Sequence, residues 1–252
     1  RWCCCPAAHP ARNRTPTRNR ARALARLHGQ SDDELIESLD RSVDLGFRTV
    51  SVPLALPTKP SRGKPFNRGV HRTLERLRTR HGEVDFVLDC GGQLTPSEAT
   101  SLAQELESFH LLWMDQPCGG IQHAALAGVA AETSTPLGFE HATAADYQDL
   151  LRHDAVDVLR PDISTWGIMA MRKAAALAET YYVAVAPRNA GGPIATAAAL
   201  QLAAAIPNFF AVEFPSPASE DDRQMRQEVA GRHLESVDDG FIRVPTGPGL
   251  GL

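Results

Sequence analysis

Val84-Asp85-Phe86-Val87-Leu88-Asp89-Cys90-Gly91-Gly92 is an apolar run that stops at a carboxylate and is followed by two glycines. A run of this length, bounded by glycine, reads as a strand buried on both faces, with Asp89 at the point where the chain leaves the core. The same pattern recurs twice downstream. Leu111-Leu112-Trp113-Met114 runs into Asp115-Gln116-Pro117, and Pro136-Leu137-Gly138-Phe139 runs into Glu140-His141. The three acids recur about every 25 residues, the length of one strand, loop, helix and return loop.

Working outward, helix and strand signals alternate along the chain. Ala23 to His28 is a weak first strand, and Ser31-Asp32-Asp33-Glu34 is a capping box before Leu35, Ile36, Leu39 and Val43 at helical spacing. Phe47 to Val52 is the second strand, stopped by Pro53; a Pro/Lys/Arg loop from Pro57 to Gly69 and a helix over about 68–80 lead to Asp89. Thr95-Pro96-Ser97-Glu98 opens the next helix with a cap and a proline at its first position. Val156 to Asp162, Tyr182 to Pro187 and Phe209 to Glu213 are strands six, seven and eight, separated by alanine-rich helices over about 170–180 and 193–205. The tail from Gly231, with turns at Asp239-Gly240 and Gly247-Pro248-Gly249, reads as an irregular closing segment.

Eight strands alternating with helices predict an α/β fold closed into a TIM-like barrel; a doubly wound open sheet is the alternative. Polar groups end strands all along the chain, not only beside one crevice, which favours closure. Barrel sites lie at the C-terminal ends of the strands, so Asp89, Asp115, Glu140, Asp162, Arg188 and Glu213 are expected to share one mouth. Singly, a strand-end acid is most often a helix cap or an ion-pair partner. Three on consecutive strands predict a site for a hard cation such as Mg²⁺, which prefers oxygen ligands.

A length of 252 residues suits one such domain, and a net charge of −4 predicts no affinity for nucleic acid. No apolar run approaches the ~20 residues that cross a bilayer. The five cysteines, three of them adjacent at Cys3, Cys4 and Cys5, are not a disulfide framework, which favours a reducing, cytoplasmic setting. Residues 1–23 carry six arginines and no acid, and are expected to be a disordered basic leader before a barrel domain at 24–252.

From Leu24 onward the chain resembles the barrel domain of the enolase superfamily, in its mandelate racemase and muconate lactonizing branch, with sugar-acid dehydratases such as galactonate and mannonate dehydratases nearest. The resemblance is carried by Leu88-Asp89-Cys90-Gly91, Trp113-Met114-Asp115-Gln116-Pro117, Gly138-Phe139-Glu140-His141, Ala155 to Asp162, Val185-Ala186-Pro187-Arg188-Asn189, Gly192 to Ala198, and Pro245 to Gly251. It implies a (β/α)7β barrel. The family's N-terminal α+β cap is not expected here, because residues 1–23 are too short to form it. It also implies that Asp89, Asp115 and Glu140 hold Mg²⁺ against the carboxylate of a small sugar acid. A base then removes the α-proton and a β-hydroxyl leaves as water, the work of a hydro-lyase in sugar acid catabolism. Homo-oligomeric assembly belongs to the same resemblance.

The departures fall on the proton-transfer groups. Gly91 stands where the dehydratases place a histidine two residues after the first ligand, and Arg188 stands where they place another after strand seven, with Asp162 as its would-be partner. Arginine is a poor general base, because its pKa exceeds ~12, and is better suited to holding a carboxylate. Ser51 and Pro53 occupy the strand-two positions of the racemase lysines. The catalytic set is therefore His141, Asp162, Arg188 and Glu213, with Glu213 either holding substrate hydroxyls or pairing with Arg188. Trp166 and Tyr147 stand near strand ends, where core packing is the plainer role. Two alternatives stay open: a metal-binding pseudo-enzyme or racemase-like barrel that has lost its acid–base groups, and a barrel using Asn189-Ala190-Gly191-Gly192 as a phosphate cradle.

Overall fold

The computed structural model describes residues 17–55, 63–120, 123–140, 142–215, 220–231 and 234–252. Eight parallel strands are laid down in chain order: β1 (Arg20–Arg26), β2 (Thr49–Pro53), β3 (Asp85–Asp89), β4 (Trp113–Asp115), β5 (Leu137–Phe139), β6 (Val158–Leu159), β7 (Ala184–Val185) and β8 (Val212–Phe214). Each of β1 to β6 pairs in parallel with the next. β8 pairs in parallel with β1, and a bridge between Val185 and Phe209 ties β7 to the segment entering β8. The sheet thus closes, as expected from the sequence.

A helix follows every strand: α1 (Asp32–Asp44), α2 (Lys64–Arg80), α3 (Pro96–Glu105), α4 (His123–Ala131), α5 (Ala144–Arg152), α6 (Ile163–Glu179), α7 (Pro193–Ala205) and α8 (Glu220–Ala230). The start signals read from the sequence are in place. Ser31 accepts from the Glu34 N–H while Glu34 accepts from the Gln30 N–H, and Thr95 and Glu98 form a reciprocal capping box before Pro96. α8 was not expected. It has no buried residue, so it lacks the apolar stripe by which a sequence announces a helix.

Two other regions differ from expectation. β1 begins at Arg20, inside the stretch assigned to the basic leader, and Arg18, Arg20 and Arg22 lay their guanidinium groups over the rings of Phe209, Phe241 and Phe210. Residues 17–23 therefore belong to the barrel, and residues 1–16 lie outside the described residues. The closing tail is not irregular throughout: β9 (Val237–Asp238) and β10 (Phe241–Arg243) form a hairpin turning at Asp239-Gly240, and β10 runs antiparallel to the first half of β1. Of the loop expected from Pro57 to Gly69, residues 63–69 are the start of α2 and its cap, and 57–62 lie outside the described residues. No helix among the described residues is long and apolar enough to cross a membrane.

The core is double. The larger cluster fills the space between strands and helices, and Val50, Val52, Phe86, Leu88, Met114 and Phe139 point into it. A smaller cluster of Leu24, Val87, Trp113, Val158, Ala186 and Ala211 fills the barrel interior. Because strand side chains alternate, the residue two positions beyond each interior residue also faces inward, one step nearer the mouth. Those residues are Arg26, Asp89, Asp115, Arg160, Arg188 and Glu213.

Candidate functional site

The barrel mouth is lined by carboxylates and guanidinium groups that meet one another. Asp89 and Asp115 are register partners on β3 and β4, and Asp115 is in turn paired with Gly138 on β5, two residues before Glu140. Gly138 is required there. A Cβ at this position would lie 2.5 Å from Trp113 Cδ1 and 2.7 Å from Asp115 Oδ1, so only glycine lets Trp113 fill the interior beneath Asp115. Glu140 is fixed from two sides. Its N–H donates to Gln116 Oε1 at 3.0 Å, and the Tyr147 hydroxyl donates to its carbonyl at 3.1 Å. Tyr147 is buried and packs its ring 5.3 Å from that of Trp166, so both aromatics support the site as packing residues.

Three arginines interleave with the acids. Arg26 Nη2 lies 2.5 Å from Asp89 Oδ2, whose other oxygen accepts the Gly91 N–H at 2.9 Å. Arg160 Nε lies 2.8 Å from Asp115 Oδ2, and its Nη2 lies 2.5 Å from Glu213 Oε2 and 3.9 Å from Glu140 Oε2. Arg188 Nε lies 3.2 Å from Glu140 Oε2. Arg160 is the centre of this lattice and is only 2% exposed, stacked over the Trp113 ring. Burial opposes its charge, but Asp115, Glu213 and Glu140 outweigh that and hold the guanidinium protonated above its ordinary value.

Four carboxylates against three guanidinium groups leave one negative charge in excess. The excess shows at Asp115. Burial pushes its carboxyl up to about 7 against the pull of Arg160, with Glu140, Asp89 and Glu213 adding to the rise. Its Oδ1 is buried with no hydrogen-bond partner. Such an oxygen is costly unless something positive meets it. The donor chemistry of Asp89, Asp115 and Glu140 therefore fits a hard divalent cation. In this arrangement the arginines draw the acids toward themselves, and among the described residues no three His, Cys, Asp or Glu groups converge on a single point.

The remaining sequence candidates divide. Glu213 and Arg188 are at the mouth, but they are not each other's partner: Arg160 takes Glu213, and Arg188 takes Glu140. Asp162 is not the side-chain partner of Arg188. β6 ends at Leu159, and the Asp162 carboxylate accepts the Ser164 N–H at 2.7 Å as the cap of α6. His141 lies outside the described residues. At the expected phosphate cradle the Gly191 N–H is taken by Asn189 Oδ1, and a Cβ on Gly191 would meet Ser164 Oγ at 2.6 Å, so close packing accounts for this glycine. Cys90 and Cys118 are buried free thiols, and burial raises both above the ordinary thiol range. Arg160 and Arg26 carried no role in the sequence reading. Their signal was the two-residue step from Val158 and from Leu24.

Comparison with known proteins gives a consistent picture. The family described as enolase C-terminal domain-like matches residues 34–252. The D-xylonate dehydratase of Haloferax volcanii is 33% identical over 172 residues, 67% of this chain and 40% of that protein. The D-galactonate dehydratase of Variovorax paradoxus is 29% identical over 244 residues, 93% of this chain and 63% of that protein. Among solved structures, a mandelate racemase/muconate lactonizing enzyme-like protein from Roseovarius sp. TM1035 superposes with a TM-score of 0.81 at 27% identity, covering 94% of this chain and 62% of that one. The chain spans less than two thirds of the length of each of these relatives.

Proposed function

Because this chain belongs to the enolase C-terminal domain-like family, we propose that its barrel mouth is the site of a Mg²⁺-dependent hydro-lyase acting on a sugar acid. The observation that carries this reading is the buried Asp115 Oδ1, left without a partner between the acids of the neighbouring strands. Dehydratases among the relatives support the substrate class.

In this reading Asp89, Asp115 and Glu140 hold Mg²⁺, which supplies the fixed positive charge that makes removal of a proton next to a carboxylate feasible. Arg160 offsets part of the cost of burying the Asp115 charge, pairs with Glu213 and fixes where their oxygens point. Gln116 and Tyr147 hold the backbone at Glu140. Arg188, a poor base, holds the anionic end of the substrate from the rim, where it is 22% exposed. Glu213 accepts hydrogen bonds from substrate hydroxyls. Proton transfer falls to His141, the neighbour of Glu140, with Asp162 at the rim as its counterpart.

The test is a calorimetric Mg²⁺ titration of the wild type, Asp89→Ala, Asp115→Asn and Glu140→Ala, followed by a screen of sugar acids for the keto product of dehydration. A saturable site lost in all three variants, with turnover of at least one sugar acid, is the expected result. A folded wild type that binds no Mg²⁺ would sink the reading. Arg188, at the position of a dehydratase histidine and paired with Glu140, favours one second reading, a metal-binding barrel whose acid–base chemistry is gone. Binding without turnover of any sugar acid is its signature.

A further inference from the structure

We propose that Arg26 is an internal rival of the divalent cation, occupying Asp89 until a metal ion displaces it. The inference rests on the metal reading above and concerns only this chain's own residues. Arg26 is the last residue of β1, and Asp89 is on β3, so its guanidinium reaches across β2. The crossing is open because β2 presents only Ser51 and Pro53 there: Val50 and Val52 point outward into the helix-facing core, and Ser51 is the register partner of Arg26. The contact, 2.5 Å to Asp89 Oδ2, is charge-assisted, and the acceptor side chain is 8% exposed.

Both Asp89 oxygens are engaged while this contact holds. Oδ1 accepts the Gly91 N–H and Oδ2 accepts from Arg26. A cation on Oδ2 would lie beside the Arg26 guanidinium, and repulsion between the two positive charges favours the departure of Arg26. The Arg26 side chain is 35% exposed, so once released its guanidinium can be solvated at the rim rather than stranded. Arg160, 2% exposed, has no such exit. Cation affinity at this mouth is thus set partly by a residue that is not a ligand.

The measurement is Mn²⁺ binding to the full chain, followed by loss of the free-ion electron paramagnetic resonance signal, for wild type, Arg26→Gln and Arg26→Lys. Arg22→Gln is the control. It makes the same charge change on the same strand, but Arg22 pairs with Asp85 at the far end of β3. Arg26→Gln is expected to bind Mn²⁺ roughly five- to tenfold tighter, the size of a partly exposed charge-assisted pair, with Arg26→Lys in between and Arg22→Gln unchanged. Equal or weaker binding by a folded Arg26→Gln overturns the inference while leaving the metal site standing. An equal gain in Arg22→Gln also overturns it, because net charge alone would then be the cause. Unfolding of both Arg26 variants would make the residue structural and overturn it as well. No Mn²⁺ binding by any folded form overturns the metal reading and this inference together.

Discussion

Arg160, the residue that follows β6, places Nη2 2.5 Å from Glu213 Oε2 on β8, reaching past β7, and neither residue is more than 7% exposed. Removing one partner of such a pair leaves an uncompensated buried charge, which costs ~3–5 kcal/mol. Arg160→Met is expected to lose about that much in urea unfolding, because it strands Asp115 as well. Arg160→Met with Glu213→Gln should recover part of the loss. A single variant as stable as the wild type would show that the lattice is not a stabilising element.

Gly138→Ala tests the close approach at β5. The added methyl meets Trp113 at 2.5 Å, with Asp115 Oδ1 beside it, and neither has room to withdraw in the barrel interior. A loss of ~1–3 kcal/mol is expected from overpacking, together with a shift in near-ultraviolet circular dichroism as the indole moves. An unchanged Trp113 signal would contradict the packing described.

Restoring histidines separates a crippled dehydratase from a binding barrel. Arg188→His removes the rim partner of Glu140 and introduces a group able to transfer protons, so sugar-acid turnover should rise on the order of a hundredfold if the rest of the machinery is present. Gly91→His is expected to fail as a companion. Gly91 has φ +57°, which costs a side-chain-bearing residue about 1 kcal/mol, and its N–H holds Asp89 Oδ1 in place. Steady-state assays of both variants decide the point; no gain in Arg188→His supports the binding barrel.

Asp40 gives the clearest acid-side prediction. Arg80 and His81 of the α2 end hold its carboxyl at about 2, below the ordinary value of 3.8. A depressed folded-state value means the contribution is complete above the unfolded value and disappears as pH falls from about 4 to about 2. Asp40 is partly exposed, so the effect is modest. Thermal unfolding of Asp40→Asn should be lower than wild type at pH 6, and the gap should close by pH 2. A gap that persists at pH 2 would place the effect elsewhere.

What the sequence disclosed about the site depended on contrast. Asp89 and Asp115 each end an apolar run, so their places at the mouth were visible, and the Ser31 and Thr95 caps were written out in local chemistry. Arg160 is hidden because the run from Val156 to Asp162 reads as one strand, whereas β6 ends at Leu159. In strands buried on both faces the interior and exterior residues are equally apolar, so periodicity does not say which face an arginine two steps on will take. Arg26 was obscured by the arginines before it, which read as a leader because their aromatic partners, Phe209, Phe210 and Phe241, lie far along the chain. The partner exchange that separates Arg188 from Asp162 depends on how far β5, β6 and β8 are staggered, a property of the closed barrel that no local stretch contains.

The pairing of β1 has a consequence for how the molecule comes together during synthesis. One half of this strand finds its antiparallel neighbour at residues 241–243, and the other half bonds to residues 212–214. Until residues 212–214 and 241–243 have been released from the ribosome, β1 has only its β2 pairing, at Ala25 and Arg26, and residues 20–25 lack their β10 and β8 partners. Only when the last hairpin emerges do both sides of the first strand become satisfied. An exposed edge of this kind invites association with other chains, so the closing hairpin also acts as protection against aggregation while the protein is being made.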